Sequence, residues 1–483
     1  MASVKFPVKP APKSIDFLII GGGLTGLMCA ITLRTVGHRV TLVEKAASVE
    51  EIPAFFRGLM LPPNMTKIYN RWGMVDITTD TGLASARLIM KRWETGDLLG
   101  VHRWDEQMLE EADGKFIYVT YPYLWTTLLN TAKELGAEIR LGAEAVSISE
   151  DGQSVELGSG ETLRADVVIG AGGTTGICRK LLAKDHGPPT PTGRAMYVTT
   201  VAAERMYSEP ELAALVTSNI KSQRTWFGHN FGFLAFQMNA EGDHGIYIQS
   251  LEGDTPLSPQ WTPVAKEEVM DWISTAEPRI KQLVSLSSDI CRAQFAEYED
   301  LEDWVLDNGH VVVVGEEAHP YPPGPVNSYA MGVEDAAVLA TLFSHLHDKE
   351  QIPSLLYAFQ ELRQERCLNI RLVDVGNIHF MTIPDGPEAE ERDHALRARQ
   401  AAGKNVLQTE VEGAEDAEDA GIAELWTEHQ VVFGYDALAE ADNWWVKWGL
   451  LRERARRPDI RGMGDMAFGH WHEVQVIKEV VHS

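Results

Sequence analysis

Gly21, Gly23 and Gly26 form a G-x-G-x-x-G pattern directly after the apolar run Phe17 to Ile20 and directly before a helical stretch. The first glycine permits a tight turn, the second lets backbone approach a pyrophosphate, and the third lets a helix lie close on a strand. Amides near Leu24 and Thr25 would then face phosphate oxygens at the positive end of that helix. Glu44 ends the next predicted strand about 20 residues on, with Lys45 beside it, where a carboxylate accepts hydrogen bonds from ribose hydroxyls and repels a 2′-phosphate. Glycines, strand, helix and acid in register predict an adenine dinucleotide here, FAD or NAD rather than NADP.

A second group of residues could form a substrate wall. Trp226, His229, Phe231, Phe233, Gln237, Tyr247 and Gln249 fall in β-rich segments, where alternate positions share a face. Phe236 joins them only if a bulge shifts the register. Such a wall would suit an aromatic, mostly apolar substrate. His229 and Tyr247 are its candidate catalytic groups, the histidine because imidazole exchanges protons near neutral pH. His470 and His472 have a metal-ligand spacing but no third partner, so no metal is assigned.

These residues need elements to hold them. Phe17 to Ile20, Arg39 to Glu44, Ala165 to Ile169 and Val311 to Val314 read as strands of one parallel sheet, and Leu27 to Val36 reads as the crossover helix. Tyr197 to Val201, Gly232 to Met238 and Gly245 to Ser250 predict an inserted antiparallel sheet, with Leu212 to Ile220 as a helix. From Val333 the pattern turns helical, through Ala336 to His345 and Pro353 to Val373. The expected class is α/β, with a Rossmann-like dinucleotide-binding domain on a mixed, largely parallel sheet, an inserted antiparallel domain and C-terminal helices. Glu410 to Asp442 holds eleven acidic residues and no Lys or Arg, and reads as a solvated, partly disordered linker. Trp444, Trp445 and Trp448 beyond it are expected to pack back onto the body.

With 483 residues, 44% of them hydrophobic, the chain can bury large cores. A formal charge of −27 disfavours nucleic acid and anionic membrane as partners. Four scattered cysteines form no C-x-x-C pair, which fits a reducing, cytoplasmic setting and neither a disulfide framework nor a zinc cluster. Residues 1–14 read as a disordered arm. The glycines inside Ile15 to Leu33 argue against a membrane span.

Three further stretches carry a family resemblance. They are Ala165-Asp166-Val167-Val168-Ile169-Gly170-Ala171-Gly172-Gly173, Gly315-Glu316-Glu317-Ala318-His319-Pro320 and Gly332-Val333-Glu334-Asp335-Ala336. They resemble the second and third FAD motifs of the class A flavin monooxygenases, the flavoprotein aromatic hydroxylases. Pro384-Asp385-Gly386-Pro387 and Gly434-Tyr435-Asp436-Ala437 are similar to the fungal salicylate-hydroxylase-like branch. The resemblance implies FAD as cofactor, with NAD(P)H and O2 as co-substrates. A phenolic, aromatic-acid or polycyclic metabolite would be hydroxylated, possibly with decarboxylation. It further implies that Arg57 and Gly58 lie against FAD, Glu316 bonds the ribitol, and Pro320 lies beside the isoalloxazine. The loop through Asn327, Ser328 and Tyr329 would present amides to the ring. Residues 15–78, 115–190 and 300–350 would form the FAD domain, 79–114 and 191–299 the substrate domain, and 351–483 a helical region, in a monomer or homodimer. The chain departs from the family at several positions: Gly172-Gly173 replaces Asp-Gly, Pro122 falls on an FAD-contacting arginine, Val198 on an arginine of the substrate sheet, and Asn327-Ser328 on Gln-Gly. An FAD-dependent oxidase or cyclase without oxygen insertion, or a fold that has lost catalysis, stays open as an alternative.

Overall fold

The computed structural model describes residues 9–51, 58–74, 77, 83–218, 220–253, 261–324, 326–407 and 431–451. Arg57, His470 and His472 lie outside these residues.

Five strands build a fully parallel sheet in the order Val311–Val313, Val167–Gly170, β1 (Asp16–Ile20), β2 (Arg39–Glu44) and Glu138–Leu141. Phe17, Leu18 and Ile19 are buried, as a strand covered on both faces requires. The helix α1 (Leu24–Thr35) crosses from β1 to β2 and packs on the helix Ser328–Phe343, so the glycine loop opens at the point where strand order reverses. Of the helix Ser328–Phe343, every residue but Tyr329 is buried, which is why its sequence is apolar nearly all round.

The second large sheet has eight strands drawn from two stretches of chain, residues 87–103 and 190–297. Its centre is Thr190–Val201, His244–Leu251, Phe231–Gln237 and Ser222–Gly228, all antiparallel. The strand Ser222–Gly228 carries no clean alternation and escapes a reading by pattern alone. A long helix, Ile352–Met381, packs on the helix Ser328–Phe343 and touches the antiparallel sheet at Ser222–Gly228 and Phe231–Gln237.

Two expectations for the C-terminal region need correction. The linker expected over 410–442 is structured from 431 onward: Val432, Ala437, Leu438 and Ala441 are buried, and Asp436 caps the helix Ala437–Trp444 through the Ala439 amide. Arg366 explains this, because its guanidinium donates to the Val431 and Val432 carbonyls and lies 4.3 Å from the Tyr435 ring. Trp444 and Trp445 pack inward, but Trp448 is exposed. Among the described residues no helix is long and apolar enough to cross a membrane.

Candidate active site

A cleft of about 810 Å³ opens at the carboxyl end of β1. Gly21, Gly23, Leu24, Thr25, Glu44 and Lys45 line one end of it. Each glycine of the motif has a distinct reason to lack a side chain. Gly21 takes φ +113°, and a Cβ there would meet the Ala171 carbonyl oxygen at 2.4 Å. At Gly26 a Cβ would come within 2.0 Å of the Gly21 oxygen. At Gly23 it would meet nothing within 4 Å, because the position faces the open cleft. The Glu44 carboxylate is already oriented by the Gly22 amide at 2.6 Å and the Ala46 amide at 2.8 Å. Trp125 adds a clamp that no motif announces, its indole N–H donating to the Gly22 carbonyl at 2.7 Å.

The opposite wall comes from the later motifs. Gly172, Gly173, Glu316, Ser328 and Tyr329 line the cleft. Pro320 does not; it is buried behind the loop, and Pro323 and Gly324 stand in the cleft instead. Asn327 is also withdrawn, with both its backbone and side-chain amides turned to Asp374. Pro122 faces solvent from the first turn of the helix Tyr121–Glu134, so it is Tyr121 that this helix presents to the cleft. The carboxylate missing at Gly172 is supplied from elsewhere. Glu317 accepts from the Gly172 amide at 2.5 Å and the Arg179 amide at 3.0 Å, and thereby ties the second motif to the third. Thr25 performs the same service for the first: a Cβ at Gly332 would lie 2.0 Å from its hydroxyl, so these two elements pack backbone against side chain.

Beyond Gly324 the cleft meets the eight-stranded sheet. A Cβ at Gly324 would touch Met196 and lie 3.6 Å from the Gln249 amide nitrogen. Met196, Val198, Phe236, Met238 and Tyr247 form an apolar cluster on this face. Register explains the grouping, since Leu234 pairs with Tyr247 and Phe236 with Gly245, without a bulge. Phe236 therefore sits with Tyr247 and Gln249, while Trp226, Phe231, Phe233 and Gln237 point to the opposite face. There Phe231 stacks between Trp93 and Trp272, Phe233 packs edge-on against Trp226, and Trp226 donates to Glu277. Gln237 accepts from Lys221 at 2.7 Å. The large rings serve the core beneath the helices Pro210–Thr217 and Pro278–Leu286, which demand more apolar area than the cleft does.

The two candidate catalytic side chains take other roles. His229 is half exposed on the turn between two strands, accepts from the Asp385 amide at 2.9 Å, and lies outside the cleft. Tyr247 donates to the carbonyl of Gly58, which fixes that glycine on the sheet, and burial pushes its phenol well above the ordinary range. A phenol so held keeps its proton and is not available as a base. Gln249 differs from both. It is 3% exposed, and its side-chain oxygen has no hydrogen-bond partner among the described residues.

The FAD binding domain family matches residues 14–370. The FAD-dependent monooxygenase OpS4 of Beauveria bassiana is 30% identical over 434 residues, which span 89% of this chain and 97% of that protein. The chain belongs to the FAD-dependent monooxygenases. Two solved structures share the fold: CtdE in complex with FAD and a substrate, with a TM-score of 0.74 and 18% identity over 91% of this chain and all of that one, and a salicylate hydroxylase substrate complex, with a TM-score of 0.68 and 19% identity over 89% and 97%.

In this monooxygenase the acids of the third motif, Glu334 and Asp335, face inward. Asp335 accepts from His319 at 2.7 Å, Arg363 at 2.8 Å and the Gly315 amide at 2.8 Å, all buried. His319, Asp335 and Cys367 hold ligand atoms within 4.8 Å of one another, yet the Arg363 guanidinium reaches both Asp335 and the Cys367 sulfur, filling the position a metal cation would take. Burial lowers the His319 pKa, but Cys367 and Asp335 outweigh it and raise it to about 10. Burial likewise opposes charge on Asp335, and His319 with Arg363 brings it down to about 2. The imidazolium is raised, so its stabilisation is complete below its unfolded value of about 6.5 and fades as pH climbs toward 10; the lowered carboxylate contributes above about 4 and fades toward pH 2. Between pH 6 and pH 10 the stability gap between the native protein and a His319→Gln variant should therefore close, as urea unfolding would read. A gap constant across that range would contradict the charged pair.

Proposed function

We propose that this flavoprotein uses NAD(P)H and O2 to hydroxylate a small aromatic substrate bearing a hydroxyl group, seated in the cleft where Pro323–Gly324 meets the sheet face of Met196, Phe236 and Gln249. The observation that carries this reading is the buried, unpartnered Gln249 oxygen in an otherwise apolar wall beside the cleft. A buried acceptor without a donor is costly, and a substrate O–H relieves that cost.

The residues fit FAD. Gly23 leaves room for the pyrophosphate at the start of α1, Glu44 is turned by two amides toward the ribose end, and Glu316 with Ser328 and Tyr329 lines the route to Gly324. When bound, FAD supplies the redox chemistry, taking electrons from NAD(P)H and delivering them to oxygen. The chain supplies placement and dryness. The apolar cluster around Phe236 and Met238 excludes water, and Tyr247 anchors Gly58 over that cluster. Accepting the substrate's hydroxyl proton in a hydrogen bond, Gln249 orients the ring and increases its electron density, which favours oxygen transfer to the neighbouring carbon.

Purified protein should be yellow, and phenolic substrates should stimulate matched consumption of NAD(P)H and O2. Gln249→Leu removes one neutral hydrogen bond worth about 1 kcal/mol, so kcat/KM should fall about fivefold while substrate-free NAD(P)H oxidation stays the same. An unchanged kcat/KM would refute the pose. Turnover that consumes no oxygen would refute the monooxygenase reading.

A further inference from the structure

Asp374 lies in the last third of the long helix Ile352–Met381 and is 2% exposed. Its carboxylate has two partners, both on one residue: the Asn327 backbone amide at 3.2 Å and the Asn327 side-chain amide at 2.9 Å. No cation among the described residues pairs with it. On its own helix Arg371 is turned to Asp300 at 2.7 Å and Arg363 to Glu334 and Asp335 at 2.8 Å. From the cleft loop the titratable group facing it is Tyr321, whose hydroxyl donates to the Cys367 carbonyl. Asn327 itself precedes the helix Ser328–Phe343, whose first residues Ser328 and Tyr329 line the cleft. The Asn327 side-chain oxygen is buried and has no partner among the described residues.

We infer that Asp374 is a positioning residue for the cofactor cleft, setting through Asn327 the pose of the backbone that leads into Ser328 and Tyr329. This rests on the reading of the cleft as the FAD site. The device has two states. As a carboxylate, Asp374 accepts from both Asn327 amides, leaving the Asn327 oxygen unused. As a carboxylic acid it must donate, and the acceptor within reach is that same oxygen once the side-chain amide turns over. One proton therefore turns over the Asn327 side chain, while the other carboxyl oxygen still accepts from the backbone amide at 3.2 Å, now as a neutral carbonyl and so more weakly. Burial lifts the Asp374 carboxyl to about 7, the two Asn327 bonds opposing it, so the exchange falls within the working pH range.

The test uses the full chain with FAD bound and follows the flavin absorbance spectrum, together with the pH profile of NAD(P)H oxidation, from pH 5.5 to 8.5. The native protein should show an inflection near pH 7 in both, and Asp374→Asn should abolish it while keeping bound flavin. Asn327→Ser, which removes the side-chain donor but leaves the acid, should move the inflection to higher pH, and it keeps the idea testable if Asp374→Asn does not fold. Yellow protein in which Asp374→Asn or Asn327→Ser titrates like the native chain would overturn this inference alone. Colourless native protein that takes up no added FAD would overturn the cofactor reading, and this inference with it.

Discussion

Replacing Gly23 by valine should give folded protein that no longer retains FAD. Gly23 has φ −67° and ψ −179°, extended backbone open to any residue, so the substitution introduces no strain. A Cβ there meets no protein atom within 4 Å, since it enters the cleft where the pyrophosphate is expected to cross the start of α1. Displacing the pyrophosphate from two charge-assisted hydrogen bonds, at about 1.5 kcal/mol each, costs about 3 kcal/mol, or about a hundredfold in affinity. Fluorescence titration of apoprotein with FAD would measure this, with circular dichroism as the check on folding. Gly26→Val offers the contrast: its Cβ would collide with the Gly21 carbonyl, so the fold itself should suffer. Undiminished flavin occupancy in Gly23→Val would show that the dinucleotide does not lie where the glycines point.

Arg363→Met is expected to produce the largest loss of stability from a change outside the cleft. Arg363 is fully buried and bridges Asp335 and Glu334 at 2.8 Å each. Glu334 also accepts from Arg366 and from Asn64, and Asp335 keeps His319. Methionine replaces the apolar stem of the side chain but not its guanidinium, and leaves two buried carboxylates short of a cation. Removing one partner of a buried ion pair costs about 3–5 kcal/mol, a large share of the roughly 5–15 kcal/mol that holds a domain together. Arg363→Lys should fall between, because a single ammonium cannot span both carboxylates as the guanidinium fork does. Urea denaturation ranks the three proteins, and a methionine variant as stable as the native chain would mean that the acids are neutral in the core.

The two ends of the chain's chemistry differ in how readable they were. At the glycine loop, local sequence is sufficient because every requirement is local: Gly21 must adopt positive φ, Gly26 must admit the Gly21 carbonyl, and Glu44 must end the adjacent strand. Contacts such as Trp125 to Gly22 and Glu317 to Gly172 join residues 103 and 145 positions apart, and no spacing rule reports them. Pro320 shows the limit of motif transfer, since the loop carries Pro323, not Pro320, into the cleft.

For the antiparallel sheet, alternation sorts side chains within each strand but cannot align one strand with the next, so it groups Tyr247 and Gln249 with Phe231 and Phe233, which the register puts on opposite faces. Both faces are apolar, and the richer aromatic set went to the helices Pro210–Thr217 and Pro278–Leu286, leaving Phe236, Tyr247 and Gln249 for the other side. By itself, then, the amino-acid order determined a dinucleotide-binding βαβ unit and a sheet inserted after it, because backbone conformation and apolar period are properties of neighbouring residues. Only the folded chain decided which face lines the cleft, which acids pair in the core and which stay near the cofactor, because burial and partnership depend on segments hundreds of residues apart.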